Sequence, residues 1–150
     1  MSSLSHSYSV STRTSKSPVA NAVFRRAPLV MIAVIFTLIS LRYLSNTVAA
    51  AAAVGIGFAS PEGITVARVG FAAFPLAFAI LAFVALISDR WRLAGIYMVL
   101  TVDCVVLAVR VFSMLLEHSM SSARLLVPEA VLLLLSLIAV RLESARMQAR

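Results

Sequence analysis

Residues 61–87 read PEGITVARVGFAAFPLAFAILAFVALI, and no charged residue stands between Arg68 and Asp89. A helix rises about 1.5 Å per residue and the hydrocarbon core of a bilayer is about 30 Å thick, so this stretch is long enough to cross one. Its opening carries the chemistry of a helix start. Ser60 suits the N-cap, Pro61 suits a first turn where its missing N–H has no partner to lose, and Glu62 suits the positive end of the helix dipole. Pro75 predicts a kink inside the run, because it leaves the carbonyl of Phe71 without its amide donor.

Working outward, three further runs share this character. The first follows Arg25, Arg26 and Pro28 and continues to residue 46, with Arg42 near its far end. Val48 to Phe58 is all small or apolar, and it either extends the first helix or lies at the interface. The turn Ser88-Asp89-Arg90-Trp91-Arg92 leads into a third run, residues 93–116, which contains Asp103 and Arg110. Trp91 there sits where an interfacial anchor belongs. After a second short turn, Glu117 to Ala123, the fourth run covers residues 124–142 and contains Pro128 and Glu129. The expected fold is all-α: an integral membrane up-down four-helix bundle over residues 24–143, with helices near 28–46, 61–87, 93–116 and 124–142. Residues 144–150 form a short cytoplasmic tail.

Met1 to Val23 is Ser-rich, carries Arg13 and Lys16, and has no acid, so it reads as a disordered cytoplasmic tail. Arg-rich, Ser-rich and acid-poor also describes an organellar transit peptide. A signal peptide cleaved near Ala49 is a third reading, weakened by the long preceding tail and by Arg42 inside the apolar core.

Composition agrees with a membrane. Hydrophobic residues make up 61% and charged residues 13%, where a soluble domain carries about 25% charge. The mean hydropathy is +1.00. A net charge of +7 would suggest nucleic acid in a soluble protein, but here the basic residues collect at the ends of apolar runs. That is a topology signal, and it suits anionic lipid headgroups. The N-terminal tail, the 88–92 turn and the C-terminal tail hold Arg13, Lys16, Arg25, Arg26, Arg90, Arg92, Arg141, Arg146 and Arg150. The opposite side and the helix interiors hold only Arg42, Arg68, Arg110 and Arg124. Both termini are therefore expected in the cytoplasm, with the chain in a bacterial inner membrane. The single Cys104 allows no intramolecular disulfide, and with only His6 and His118 beside it no zinc or copper site is expected. No cofactor is expected either.

With this orientation Arg42, Arg68, Arg110 and Glu129 all fall in the outer half of the bilayer, and Asp103 lies nearer the middle. Asp103 and Arg110 are seven residues apart, so they share a helix face. An ionised side chain at mid-membrane costs about 2.5 to 3.5 kcal/mol on insertion scales. Turning these five residues inward to pair is the cheaper arrangement, whereas snorkelling to the interface is open to the arginines but hardly to the short carboxylates. Three arginines against two carboxylates leave an excess that suits an added phosphate or carboxylate, such as an outer-leaflet headgroup, or an acidic helix of a partner. Glu117-His118 reads as solvated loop, the phenylalanines as lipid-facing or core filler, and the glycines and alanines as small-residue packing surface.

Arg68-Val69-Gly70-Phe71-Ala72-Ala73, Arg110-Val111-Phe112-Ser113 and the early Glu129 carry a further signal. Through them the chain resembles a family of small bacterial integral membrane proteins known as a domain of unknown function, over roughly residues 27 to 142. In that family's pattern two glycines stand where Ala72 and Ala73 stand here. The resemblance implies a four-helix membrane fold with Arg68, Arg110 and Glu129 as signature residues, and it implies no activity. The expected function is a non-enzymatic accessory or scaffold subunit of a larger membrane complex, holding an anionic lipid in the outer polar pocket. Its expected partners are membrane lipids and a membrane protein, either another chain or further copies of itself, with no nucleic acid. The alternative is a small oligomeric transporter with Asp103 and Glu129 as protonatable groups; a lipid-modifying enzyme using either as general base is a third.

Overall fold

The computed structural model describes residues 18–116, 118 and 123–149. The readings placed on residues 1–17 and on most of the turn after residue 116 lie outside them. The described chain is helical, with no strand. Four of its helices are long and apolar enough to cross a membrane.

Helix α1 runs Pro18–Ser45. It begins ten residues earlier than the apolar run, and so takes in residues 18–23, which the sequence reading assigns to the tail. Residues 18–23 are mostly apolar, Pro18 suits a first helical turn, and Arg25 just beyond them reaches an acid on another helix. At its other end α1 stops at Ser45. Asn46 leaves helical geometry (φ −154°), and its Oδ1 accepts the Ala49 N–H at 3.0 Å, which starts a separate short helix α2, Thr47–Ala52. Residues 47–58 therefore do not extend the first helix. Gly55 closes α2 at φ +81°, with the Gly55 N–H on the Ala52 carbonyl and the Ile56 N–H on the Ala51 carbonyl, both at 3.0 Å. This is a Schellman-type stop, and the left-handed position favours glycine.

Helix α3, Pro61–Ile87, starts as the sequence predicts. Ser60 is extended, and its hydroxyl accepts the Gly63 N–H at 3.3 Å. A π-turn precedes Pro75. The helix widens into a π-turn over Val69–Ala73, where the Phe74 N–H reaches back to the Val69 carbonyl, and regular α-helix resumes at Phe74. The register shift is thus made in the turn just before the proline, the kind of bulge that keeps a helix continuous past a missing donor.

Only Ser88 leaves helical geometry before α4, Asp89–Leu116. The polar 88–92 segment, read as a turn, is instead mostly the first turn of this helix. Asp89 there favours the positive dipole end, and the charged side chains engage one another instead of fraying the turn. A short 3₁₀ segment, Ala123–Leu125, leads into α5, Leu126–Gln148. The last helix continues six residues past the apolar run.

Each of α1 and α4 packs against both α3 and α5. The central core draws on all four long helices: Leu29 and Ile32, Ala82 and Ala85, Ile96 and Val99, Leu132 and Ala139. The α3–α4 approach is close at Gly95. A Cβ on Gly95 would run into the Ala85 methyl and lie 3.2 Å from Leu29 Cδ2. Small residues at such a crossing let backbones close up, which is how helices gain packing contacts where the hydrophobic effect gives none. A second cluster joins Tyr43, Ala50, Ala51 and Ala72, with Phe58 against it, and seats α2 on the π-turn. The Tyr43 and Phe71 rings lie 5.1 Å apart across this contact. Large apolar side chains, Val34, Leu38, Phe74, Phe83, Val105, Phe112 and Leu134 among them, point outward and are exposed.

Candidate functional site

The α4–α5 seam carries polar groups at three levels. At one end Arg110 meets Glu129: Nε donates to Oε1 at 2.8 Å and to Oε2 at 2.9 Å, and Nη2 donates to Oε1. Midway, the Ser136 hydroxyl donates to Asp103 Oδ2 at 3.4 Å, with both residues buried. At the other end Arg92 Nη1 lies 3.8 Å from Glu143 Oε1, and both side chains are 3% exposed. At the two end levels a residue late in one helix meets a residue early in the other, and at the middle level two mid-helix residues meet.

The spacing explains why these side chains meet. Glu129, Ser136 and Glu143 follow one another at intervals of seven residues on α5, and Asp103 and Arg110 are seven apart on α4. Seven residues is close to two helical turns, so each set lies on one stripe, and a step along one helix is matched by an equal step back along the other. Ile96, buried, occupies the level of Glu143 on α4, and Arg92 reaches up to that carboxylate from one turn away.

The five residues expected to cluster divide into four groups. Arg110 and Glu129 form the predicted pair. Asp103 lies on the same seam but bonds Ser136; no ion pair joins it to Arg110 among the described residues. Arg68 lies elsewhere. Its Nε donates to Thr47 Oγ1 at 3.1 Å, and Thr47 in turn donates to the Tyr43 carbonyl at 2.7 Å. Arg42 is exposed near the end of α1, and its guanidinium has no partner among the described residues. Depth along a helix is readable from sequence, but the direction a side chain faces around the helix depends on packing, and this separates Arg42 and Arg68 from the seam.

Sequence reasoning missed the opposite end. Arg25, Asp89, Arg92, Glu143 and Arg146, from α1, α4 and α5, form a network there. Arg25 Nε lies 3.4 Å from Glu143 Oε2, and Arg146 bridges Glu143 at 3.2 Å and Asp89 at 2.8 Å. Arg92 also pairs with Asp89, one turn back on its own helix. By sequence alone Arg25, Arg92 and Arg146 read as topology signals. The usable hint was Glu143, an acid on the basic side, one heptad beyond Ser136.

No family model, curated protein or solved structure matches the chain.

Proposed function

We propose that the protein is a multi-pass scaffold or accessory subunit of a bacterial inner-membrane complex, an up-down four-helix bundle with both termini in the cytoplasm. The observation that carries this reading is where the charges go. Arg110 is spent on Glu129, Asp103 on Ser136 and the Nε of Arg68 on Thr47, so each of these polar groups joins one helix to another. Groups engaged in helix contacts support a structural role over a catalytic one. Arg42 and the terminal nitrogens of Arg68 remain for phosphate, which guanidinium binds in bidentate fashion. An anionic lipid headgroup of the outer leaflet, or an acidic segment of a partner protein, is the chemistry that suits them. The likeness of Arg68, Arg110 and Glu129 to the signature of the small four-helix membrane family supports the same reading.

Reporter fusions test the topology. Reporters after Ser17, Arg90 and Gln148 are expected to read cytoplasmic, and reporters near Glu62 and Ser119 external. A cytoplasmic signal at Ser119 would overturn the helix count or the orientation.

One observation favours a second reading, a small oligomeric transporter. Asp103 is buried midway along the seam with the Ser136 hydroxyl as its hydrogen-bond partner and no cation paired to it among the described residues. Intramembrane carboxylates of this kind mark proton paths, and Glu129 would be the next protonatable group along it. In proteoliposomes this reading expects the chain to dissipate an imposed pH gradient and Asp103→Asn to abolish that flux. A gradient held equally well with and without the protein would dismiss it.

A further inference from the structure

The contact that brings α3 and α4 together leaves a furrow on the outside of the molecule. Gly95 is buried against Ala85, and neither it nor Ala94 carries more than a methyl group, so the surface beside the crossing is hollow. Leu81 and Val84 of α3 and Trp91 and Met98 of α4 complete an apolar lining around about 520 Å³ of space. That volume lies within the range of small-ligand sites, roughly 300–1,000 Å³. Trp91 and Met98 are seven residues apart, about 10 Å along the helix, so the furrow runs from the start of α4 into its membrane-crossing part. No water is at hand there to fill it, and a hollow left empty forfeits the dispersion contacts of its walls.

Polarity is confined to one end of this furrow. Trp91 is 56% exposed, and a tryptophan so placed at a helix end belongs at headgroup level, with its ring in the apolar zone. Arg90 stands four residues before Ala94 and hence one turn away on the same face of α4. It also borders the charge network beside Asp89 and Arg146, but it is exposed and has no ion-pair partner among the described residues. The network adds to the charge at this end. Arg25, Arg92 and Arg146 meet Asp89 and Glu143 there, one cation in excess before Arg90 is counted.

We infer that the furrow holds an acyl chain of an anionic phospholipid, whose phosphate lies against Arg90. The chain fills the apolar part, and the anion meets the uncompensated charge at its mouth. A second copy of this protein would fit less well. The acids it carries at the same end, Asp89 and Glu143, are already held by Arg25, Arg92 and Arg146, so it brings none to Arg90. The inference rests on the helices crossing a bilayer but not on the accessory role.

Trp91 is the only tryptophan of the chain, so its fluorescence reports on the furrow. The test places the full-length protein in phosphatidylcholine vesicles and adds, at matched mole fractions, either phosphatidylglycerol or phosphatidylcholine with brominated chains, which quench indole on contact. The brominated glycerol lipid is expected to bind about fivefold more strongly at Trp91, as one arginine near an anionic headgroup warrants. Arg90→Gln should bring the two lipids level. Ala94→Phe, which fills the furrow, should remove the preference as well. Both positions are exposed, so neither change should alter the melting temperature in lipid-free detergent. If Ala94→Phe does alter it, Ala94→Leu takes its place. Equal quenching by the two lipids in the unaltered protein, or a preference that survives the filled furrow, overturns the inference. So does protection of Trp91 from both lipids, which would put a protein in the furrow. None of these results bears on the topology, which the reporters read.

Discussion

Arg110→Leu and Glu129→Leu are each expected to destabilise the bundle by about 3 to 5 kcal/mol, the usual loss when one partner of a buried pair is removed. The double variant should recover much of that loss. Each single change strands a charge: without Glu129, Arg110 keeps three donated hydrogen bonds' worth of guanidinium and has no acceptor. The Arg110 side chain is 25% exposed and that of Glu129 18%. In a membrane-spanning segment that remaining exposure brings little water to screen a stranded charge. Replacing both with leucine removes the demand altogether, and such exchanges are often neutral. The measurement is a double-mutant cycle on unfolding in mixed micelles. Two small effects that simply add would mean that each side chain reaches the interface independently, and the pair would not hold the helices together.

The second large effect is expected at Gly95. Gly95→Ala should cost about 1 to 3 kcal/mol, as overpacking a tight core does, because the added methyl meets the Ala85 methyl and the Leu29 side chain. Gly95→Leu should prevent the native approach of α3 and α4. Ala85→Gly in the Gly95→Ala background removes the opposing methyl and should restore most of the stability. Thermal melting of the three variants checks this, and a Gly95→Ala protein as stable as the parent would show that the crossing is looser than its geometry.

The helix count was legible because hydropathy needs only composition and length, and the start of α3 was legible because Ser60, Pro61 and Glu62 each act locally. The Arg110–Glu129 pair was legible too, since the two carboxylates and Arg110 had few cheap alternatives. Features that depend on tertiary partners were not. The start of α1 at Pro18 lies in a stretch whose composition favours disorder, and the Arg25–Glu143 contact between distant helices is not visible there. The break at Asn46 was half legible: the first run ends at residue 46, but the apolar stretch from Val48 to Phe58 left an extension open, although Asn is a good N-cap. Likewise the π-turn ahead of Pro75 was not legible, because the proline announces a disturbed helix but not the form the disturbance takes.

The spacing of the three polar levels restricts how α4 and α5 can move. Sliding one helix past the other by a single turn would part Arg110 from Glu129, Asp103 from Ser136 and Glu143 from Arg92 at the same moment. No intermediate register satisfies one level while another is broken, so the seam works like a lock whose pins must all lift together. Axial displacement of this pair is therefore all-or-none. Small adjustments of the molecule, as it meets a bilayer of different thickness or a neighbouring protein, fall to the other half, where the widened turn of α3 and the short, separately capped α2 offer places to give.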